Sequence, residues 1–437
     1  MSTNPLPPGS DGLPLLGETL SFAKNPFRFI EERLAAHGRS FRTNVLGRKT
    51  VVVAGADAAG RFIDSNVVMR EGSMPPHVQE LFGGRSLPLL DGDVHAARKR
   101  VVLQAFTHEA LAAYLPSIES TVERYFAQWS GAGEIRWLDE MKRLSIEVIC
   151  STIAGLAPGE EMDRLRNDYD VLTRGFATLP INFPGTPYRN ALKARDRILA
   201  VLRRIVRERR AKPVDDGLSR ILAAAGTSVG DDDLALELHH IVIAGFIVYG
   251  LLVALVRELT DHPEVRARIE VPRGPLTLES LASMHYLLQV VNEVKRLAPV
   301  VPVIFGKSRT EFEFDGMTVP AGWMVLWAVN PSHVGHGVYD DPRRFDPDRF
   351  SPARAEDRRH EHAFAPQGAG PVTGHRCPGL DFATYFMAVF AVVLLRGHTW
   401  ELPPQSFEFD WTKVPPEVAD GLRPRVSAAP APSRPRE

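Results

Sequence analysis

Residues 364–379 read Phe-Ala-Pro-Gln-Gly-Ala-Gly-Pro-Val-Thr-Gly-His-Arg-Cys-Pro-Gly, and an apolar run from Leu380 to Leu395 follows. The stretch places Cys377, one of only two cysteines, after a glycine-rich loop and at the start of a helix. His375 and Arg376 supply cationic neighbours, and a helix N-terminus favours negative charge, so both features favour a thiolate. Gly368, Gly370, Gly374 and Gly379 let the backbone pass close to a flat ring and aim N–H groups at the sulfur. One reading is a buried structural cysteine. The other is a ligand thiolate in an apolar setting, of the kind that pushes electron density onto haem iron.

Three more segments bear on that choice. Glu293-Val294-Lys295-Arg296 puts an acid and a base three apart on one helix face. Pro347-Asp348-Arg349-Phe350 and His95-Ala96-Ala97-Arg98-Lys99-Arg100 are the others. Together with the cysteine loop, and in this order, they resemble the landmarks of the cytochrome P450 family across nearly the whole chain. The resemblance implies a mainly α fold with a helical body and a small N-terminal, β-rich lobe. It implies haem b, iron protoporphyrin IX, with Cys377 as the axial thiolate and metal ligand. Glu293, Arg296 and Arg349 become a buried network on the proximal side. His95, Lys99, Lys307 and His375 become the partners of the propionates, and Phe364, Gly370, Ala244 and Gly245 lie against the ring.

Two departures concern that anchoring. Family members commonly carry Arg two residues before the cysteine, where this chain has His375. They also carry a propionate-binding Arg ten residues before the strand glycine (here Gly316), a position held by Gly306 with Lys307 beside it.

Bulk properties fit one large soluble domain or two to three ordinary ones in 437 residues. The chain is 44% apolar and 24% charged with a formal net charge of −1, so nothing electrostatic points to nucleic acid or a membrane surface. Cys150 and Cys377 lie far apart and give no disulfide framework, which fits a reducing compartment. Residues 1–17 show no secretory signal. The most apolar run, Ile241 to Val256, is short against the ~20 residues of a membrane span, so a buried helix and a cytoplasmic protein without a transmembrane segment are expected. Residues 1–426 are expected to form a single haem-thiolate oxygenase domain, and 427–437 a disordered tail by composition.

Along the chain, Leu6-Pro7-Pro8-Gly9-Ser10 opens a proline-rich segment that should lie extended against the body. Residues 25–37 are amphipathic, and Phe41–Leu46 with Thr50–Ala54 flank a Gly47-Arg48-Lys49 turn as a hairpin. Residues 71–92 read as an apolar loop that borders the substrate pocket by resemblance. Leu111–Trp129, Trp137–Ala154 and Ala191–Arg210 read as helices, and Phe176–Tyr188 as a loop over a pocket mouth. The acidic residues of Gly226–Asp233 suit the first turn of a helix spanning Leu234–Leu259. Met284–Leu297 is the helix of Glu293. Pro299–Phe305 should run beside the haem, with strands at Phe312–Phe314, Met317–Val319 and Met324–Ala328 around an Ala321-Gly322 turn.

Within the Leu234–Leu259 helix, Ala244-Gly245-Phe246-Ile247-Val248 stands where many family members carry Ala-Gly-x-acid-Thr. Ile247 and Val248 replace the acid–alcohol pair and cannot relay a proton. Tyr249 is the nearest hydroxyl, one helical step on. The expected substrate pocket comprises Phe82, Leu87, Phe246, Val248, Val301, Val303 and Ile304.

The long cysteine loop resembles the bacterial fatty-acid peroxygenase branch of the family. That branch holds the substrate carboxylate with an Arg-Pro pair, and the distance to His262-Pro263 puts the pair at Ile243-Ala244 here. Pro320-Ala321-Gly322-Trp323 and the proline-rich opening resemble the branch that oxidises retinoids and other isoprenoid lipids. The resemblance therefore implies a monooxygenase that hydroxylates or epoxidises an apolar isoprenoid or secondary metabolite. Electrons would come from a separate ferredoxin or flavin partner, docked on a basic surface including Arg349, Arg358 and Arg359. Two alternatives stay open: peroxide-driven or rearranging haem chemistry, and a haem- or ligand-binding protein without catalysis. His239-His240, adjacent on a helix, point in different directions and read as half-exposed residues near its start. His360-Glu361-His362 reads as a solvated loop.

Overall fold

The computed structural model describes residues 4–298, 300–335, 337–411 and 413–429. Long helices make up the body: His108–Gly131, Trp137–Ile153, Glu160–Gly175, Pro187–Ala211, Asp231–Phe246, Tyr249–Asp261, His285–Leu297 and Leu380–Gly397. Local signals set several of their ends. Thr107 caps the first by accepting the Ala110 amide, and Thr186 caps Pro187–Ala211 by accepting that of Arg189. Asp231, Asp232 and Asp233 occupy the first turn of Asp231–Phe246, where the helix dipole favours acids.

The helix Glu160–Gly175 did not stand out in the sequence because its polar residues outnumber its apolar stripe. Met162, Leu165, Tyr169 and Leu172, spaced at helical intervals, are nevertheless buried. The apolar stretches 231–261 and 380–397 are long enough to cross a membrane by length and composition, yet both are mostly buried within the protein. Phe386, Met387, Val389 and Phe390 of the second belong to the main core, with Leu252 and Val256 of the first.

A smaller lobe holds seven strands: β1 (Ser40–Val45), β2 (Arg48–Val53), β3 (Val68–Met69), β4 (Ile304–Ser308), β5 (Phe312–Phe314), β6 (Met317–Val319) and β7 (Met324–Trp327). Five of them form one sheet in the order β1-β2-β7-β4-β3. β1 and β2 are the expected antiparallel hairpin, with Thr43 opposite Thr50, but the turn is Leu46-Gly47, for Arg48 and Lys49 already pair in β2. β2 runs parallel to β7, with Val51 opposite Val325. The opening segment lies along this lobe: the Arg42 amide donates to Pro8 O (2.8 Å) and the Thr318 amide to Pro5 O (2.8 Å).

Three expectations need correction. Residues 71–92 are not all loop, for Pro76–Leu81 is a short helix and Leu87–Leu89 a single 3₁₀ turn. The helix expected over 234–259 is two, divided at Ile247-Val248. Ser427 and Ala428, placed in the tail, instead pair with Thr399 and His398 in a two-stranded ribbon, while 430–437 lie outside the described residues.

Candidate active site

A cavity of about 320 Å³ brings the cysteine loop and the long apolar helix face to face. Ile241, Ala244, Gly245, Ile247, Val248 and Leu251 form one wall; Pro366, Gln367, Cys377, Pro378 and Gly379 belong to the other. We call the wall of Cys377 proximal and that of Asp231–Asp261 distal. The Cys377 amide donates to Gln367 O (3.0 Å), which closes the loop, and Gln367 Nε2 lies 3.9 Å from Sγ. Gly368 holds φ +93° there, folded back so that an added Cβ would stand 3.4 Å from the Arg376 Cα.

Burial pushes the Cys377 thiol up, and the Gly379 amide, Lys99, Lys295 and the Gln367 side chain oppose it. The cations acting on the sulfur are therefore these two lysines rather than His375 and Arg376, the pair expected from sequence. His375 Nε2 instead faces Asp91 Oδ1 at 3.2 Å. Lys295 is buried, with Nζ donating to Thr384 Oγ1 (2.7 Å) and Leu380 O (3.3 Å). Burial pulls its pKa down to about 8 against the pull of Cys377.

One edge of the cavity is basic. Arg70, His95, Lys99 and His375 all line it, and the rings of His95 and His375 meet at a tilt of 30° with centroids 4.0 Å apart. Burial, reinforced by His375 and Lys99, pulls His95 down to about 4; burial pulls Lys99 to about 8 and Arg70 to about 9. Asp91 is the acid among them, accepting the Arg70 and Glu71 amides at 2.7 Å. Four basic side chains held down by burial around one carboxylate make an edge suited to a dianionic group.

Arg70 was not legible in the sequence. In β3 and β4, Val68 pairs with Ser308 and Met69 with Lys307, so Arg70 continues the register toward Gly306. An added Cβ on Gly306 would fall 2.5 Å from Val68 Cγ1 and 2.7 Å from Phe62 Cε2. That packing leaves no room for an arginine at 306, and Arg70 stands just beyond the end of the neighbouring strand. Its guanidinium sits 3.9 Å over the Phe62 ring and donates to Phe305 O (2.9 Å). Lys307, the sequence candidate, does not line the cavity.

On the distal wall the helical ladder breaks where the acid–alcohol pair is missing. The Val248 amide goes to Gly245 O (3.3 Å) and the Gly250 amide to Ile247 O (3.1 Å), both three-residue bonds. The Ala244 carbonyl is thereby released from its i+4 amide, beside the cavity that Ala244 lines. Tyr249 points away: its hydroxyl donates to Glu417 Oε1 (2.8 Å). The paired histidines diverge as expected, and His240 is partly exposed, but both lie well inside Asp231–Phe246 rather than near its start. His239 is fully buried and bonded to Tyr169 Oη (3.2 Å) and Leu81 O (3.0 Å), whereas His240 lines the cavity.

The loop before the basic edge is tied to the distal helix. Arg98 reaches Glu237 Oε1 (2.8 Å), and Glu237 Oε2 accepts the Leu87 amide (3.0 Å). Leu87, Val248, Val301 and Ile304 line the cavity as expected. Phe82, Phe246 and Val303 do not. Phe82 stacks on Phe176 at 5.1 Å, Phe246 is buried against Tyr249, and Val303 belongs to the core under the sheet. Phe364 meets Phe350 edge-on at 5.1 Å, and Gly370 packs on Ile63; neither borders the cavity. Pro299 lies outside the described residues.

Beneath the proximal wall, Glu293 accepts from Arg296 (2.6 and 2.8 Å) and from Arg349 Nε (2.9 Å), all three side chains being fully buried. A fourth member, Glu356, accepts from Arg349 Nη1 at 2.9 Å. Arg349 is thus interior and cannot belong to a docking surface, while Arg359 pairs with Asp340 (2.8 Å). Among the described residues no three potential metal ligands of the His, Cys, Asp and Glu types cluster together.

A sequence model described as "Cytochrome P450" matches residues 7–413. The chain is 30% identical to an abscisic acid 8'-hydroxylase 2 of Oryza sativa subsp. indica, across 94% of this chain and 84% of that protein. Its structure superposes with a TM-score of 0.90 on retinoic acid bound cyanobacterial CYP120A1, at 30% identity over 98% of this chain and all of that one. A cytochrome P450SP alpha (CYP152B1) in complex with (R)-ibuprophen aligns at a TM-score of 0.81, with 26% identity over 93% and 98% of the two chains.

Proposed function

Because the chain belongs to the cytochrome P450 family, a haem-binding oxidoreductase family, we propose that it hydroxylates or epoxidises an apolar small molecule of the isoprenoid class, with Cys377 as the iron ligand. The carrying observation is the single cavity with Cys377 and a basic edge on one side and an apolar helix on the other. The residues fit haem. Cys377 supplies the sulfur, and Arg70, His95, Lys99 and His375 would hold the propionates. Ala244 and Gly245 leave room for the ring. Haem held by a thiolate would supply oxygen activation.

The protein's own part is positional. The Gly379 amide, Gln367, Lys99 and Lys295 favour negative charge on Sγ. The walls of Leu87, Val248, Val301 and Ile304 exclude water and favour a hydrocarbon skeleton. No side chain at 247 or 248 moves a proton, so protons must come from water or a substrate hydroxyl, for which the released Ala244 carbonyl is an acceptor. The retinoic acid named with CYP120A1 and the abscisic acid of the rice relative support an isoprenoid substrate. Electrons would come from a separate ferredoxin or flavin protein in the cytoplasm.

The test is the carbon-monoxide difference spectrum of the reduced protein, then turnover of retinoic acid and abscisic acid with a surrogate ferredoxin system or with peroxide. A red-shifted Soret band and product under the ferredoxin system are expected. Product with peroxide alone favours the second reading, peroxygenation, for which Ile247 and Val248 are the motivating observation. A Soret band typical of nitrogen ligation overturns both.

A further inference from the structure

We propose that His240 sets substrate specificity by hydrogen-bonding a neutral oxygen, a hydroxyl or a carbonyl, on an otherwise apolar ligand. The inference deepens the reading above and rests on it for the identity of the cavity. Its imidazole lines the cavity one helical turn, about 6 Å, before Ala244. Nδ1 is enclosed by protein and meets no hydrogen-bond partner, so the nitrogen left to serve the cavity is Nε2, which is not enclosed in this way. Among the described residues neither ring nitrogen of His240 makes a hydrogen bond, and its ring neighbour is Phe82, edge-on at 6.2 Å.

The adjacent residue supplies the contrast. His239, with the same chemistry on the same helix, has both nitrogens engaged. Buried imidazoles ordinarily find partners. An unpaired one lining a pocket is an address for a ligand atom.

The chemistry of the partner follows from the surroundings. Burial, with Lys99 and His239 acting in the same direction, pulls the His240 pKa to about 3, so the ring stays neutral. The Nε2 of a neutral imidazole is a donor in one tautomer and an acceptor in the other, which suits an alcohol or a carbonyl; a carboxylate calls for a cation. Lys99 donates to the Arg376 carbonyl and belongs to the basic edge that would hold the propionates. The neighbouring lining residues Ile241 and Ala244 have apolar side chains, which suit a hydrocarbon chain. Anchoring one oxygen there fixes which carbons lie over Ala244 and Gly245.

The experiment uses three C15 probes on the haem-loaded protein: farnesol, farnesoic acid and the hydrocarbon β-farnesene. Affinities are read by spin-state titration and, independently of the haem band, by quenching of tryptophan fluorescence. The wild type should bind farnesol roughly tenfold tighter than the hydrocarbon, the scale of one neutral hydrogen bond. In His240→Leu that preference should vanish, with hydrocarbon affinity unchanged within about twofold, and His240→Gln should restore part of it. The proposal is overturned by a wild type without alcohol preference, by stronger binding of the acid, or by a Leu variant that keeps the preference or loses both ligands equally. A protein lacking the thiolate band would sink the haem reading instead, while the fluorescence affinities would still decide the role of His240.

Discussion

The two walls of the cavity are built on opposite principles. Behind the proximal wall, charges are buried and saturated. Glu293 accepts from two guanidiniums, Arg349 bridges to Glu356, and Arg296 donates onward to His333 O (2.9 Å) and Pro342 O (2.6 Å). The distal wall is apolar, its helical ladder is interrupted at Ile247-Val248, and His240 on it has no hydrogen-bond partner among the described residues. The first arrangement holds one geometry, because breaking any pair strands a buried charge. The second tolerates different occupants, because apolar contacts are non-directional. On the proposed reading, the difference would put cofactor retention on one side and ligand choice on the other.

The largest effect that would sharpen this division is Cys377→Ala. It should abolish the red-shifted carbon-monoxide band completely while leaving the fold intact by circular dichroism; survival of the band would break the assignment. Next, Glu293→Gln leaves two buried guanidiniums short of their carboxylate and should cost about 3–5 kcal/mol of stability, read from urea melts. A cost under about 1 kcal/mol, the range of an exposed pair, would show that the proximal network is not what holds this wall.

A pH series comes third. Burial, with Arg296 adding, pulls the His333 pKa to about 3, and its Nε2 accepts the Ala365 amide at 3.0 Å. The folded pKa lies below the ordinary value of about 6.5, so the unfolded chain takes up the proton first. The stability from keeping this ring neutral is complete above pH ~6.5 and is lost as pH falls toward about 3. His333→Gln should flatten the stability–pH slope in that window by up to about 1.4 kcal/mol per pH unit. Unaltered acid sensitivity would move the cause elsewhere.

The smallest change belongs to the distal wall. Val248→Thr sets a hydroxyl near the released Ala244 carbonyl and should raise product formed per electron delivered by up to about tenfold, below the 10²–10⁴ of a complete general acid. Unchanged coupling would mean that proton supply does not limit the wild type.

Legibility followed the same division. The cysteine loop was readable because several glycines and one thiol at fixed intervals leave few alternatives, and Glu293 with Arg296 was readable because i, i+3 is a helical face. Lys295 sits inside the same quartet, but nothing in its spacing says that its ammonium acts on Cys377. Arg70 was hidden because β3 spans two residues, too few for a period-2 pattern. Glu356 lies in a charged stretch that reads as solvated, yet it is buried on Arg349, directly after Ala355 at φ +41°. The helix break was invisible because no proline or glycine occupies 247 or 248. His240 looked like its neighbour, and only packing separates them. Sequence pattern reports periodic burial well. It reports poorly on single side chains whose role is set by what lies across a cavity.

Cys150 turns the chain into its own occupancy gauge. That thiol is fully enclosed and pushed up to about 12 by burial, so alkylating reagents should pass it by in the native state. Cys377 lines the cavity and would be shielded once its sulfur is metal-bound. Counting labelled sulfhydryls before and after loading, one per chain against none, would therefore titrate filled sites without any optical signal.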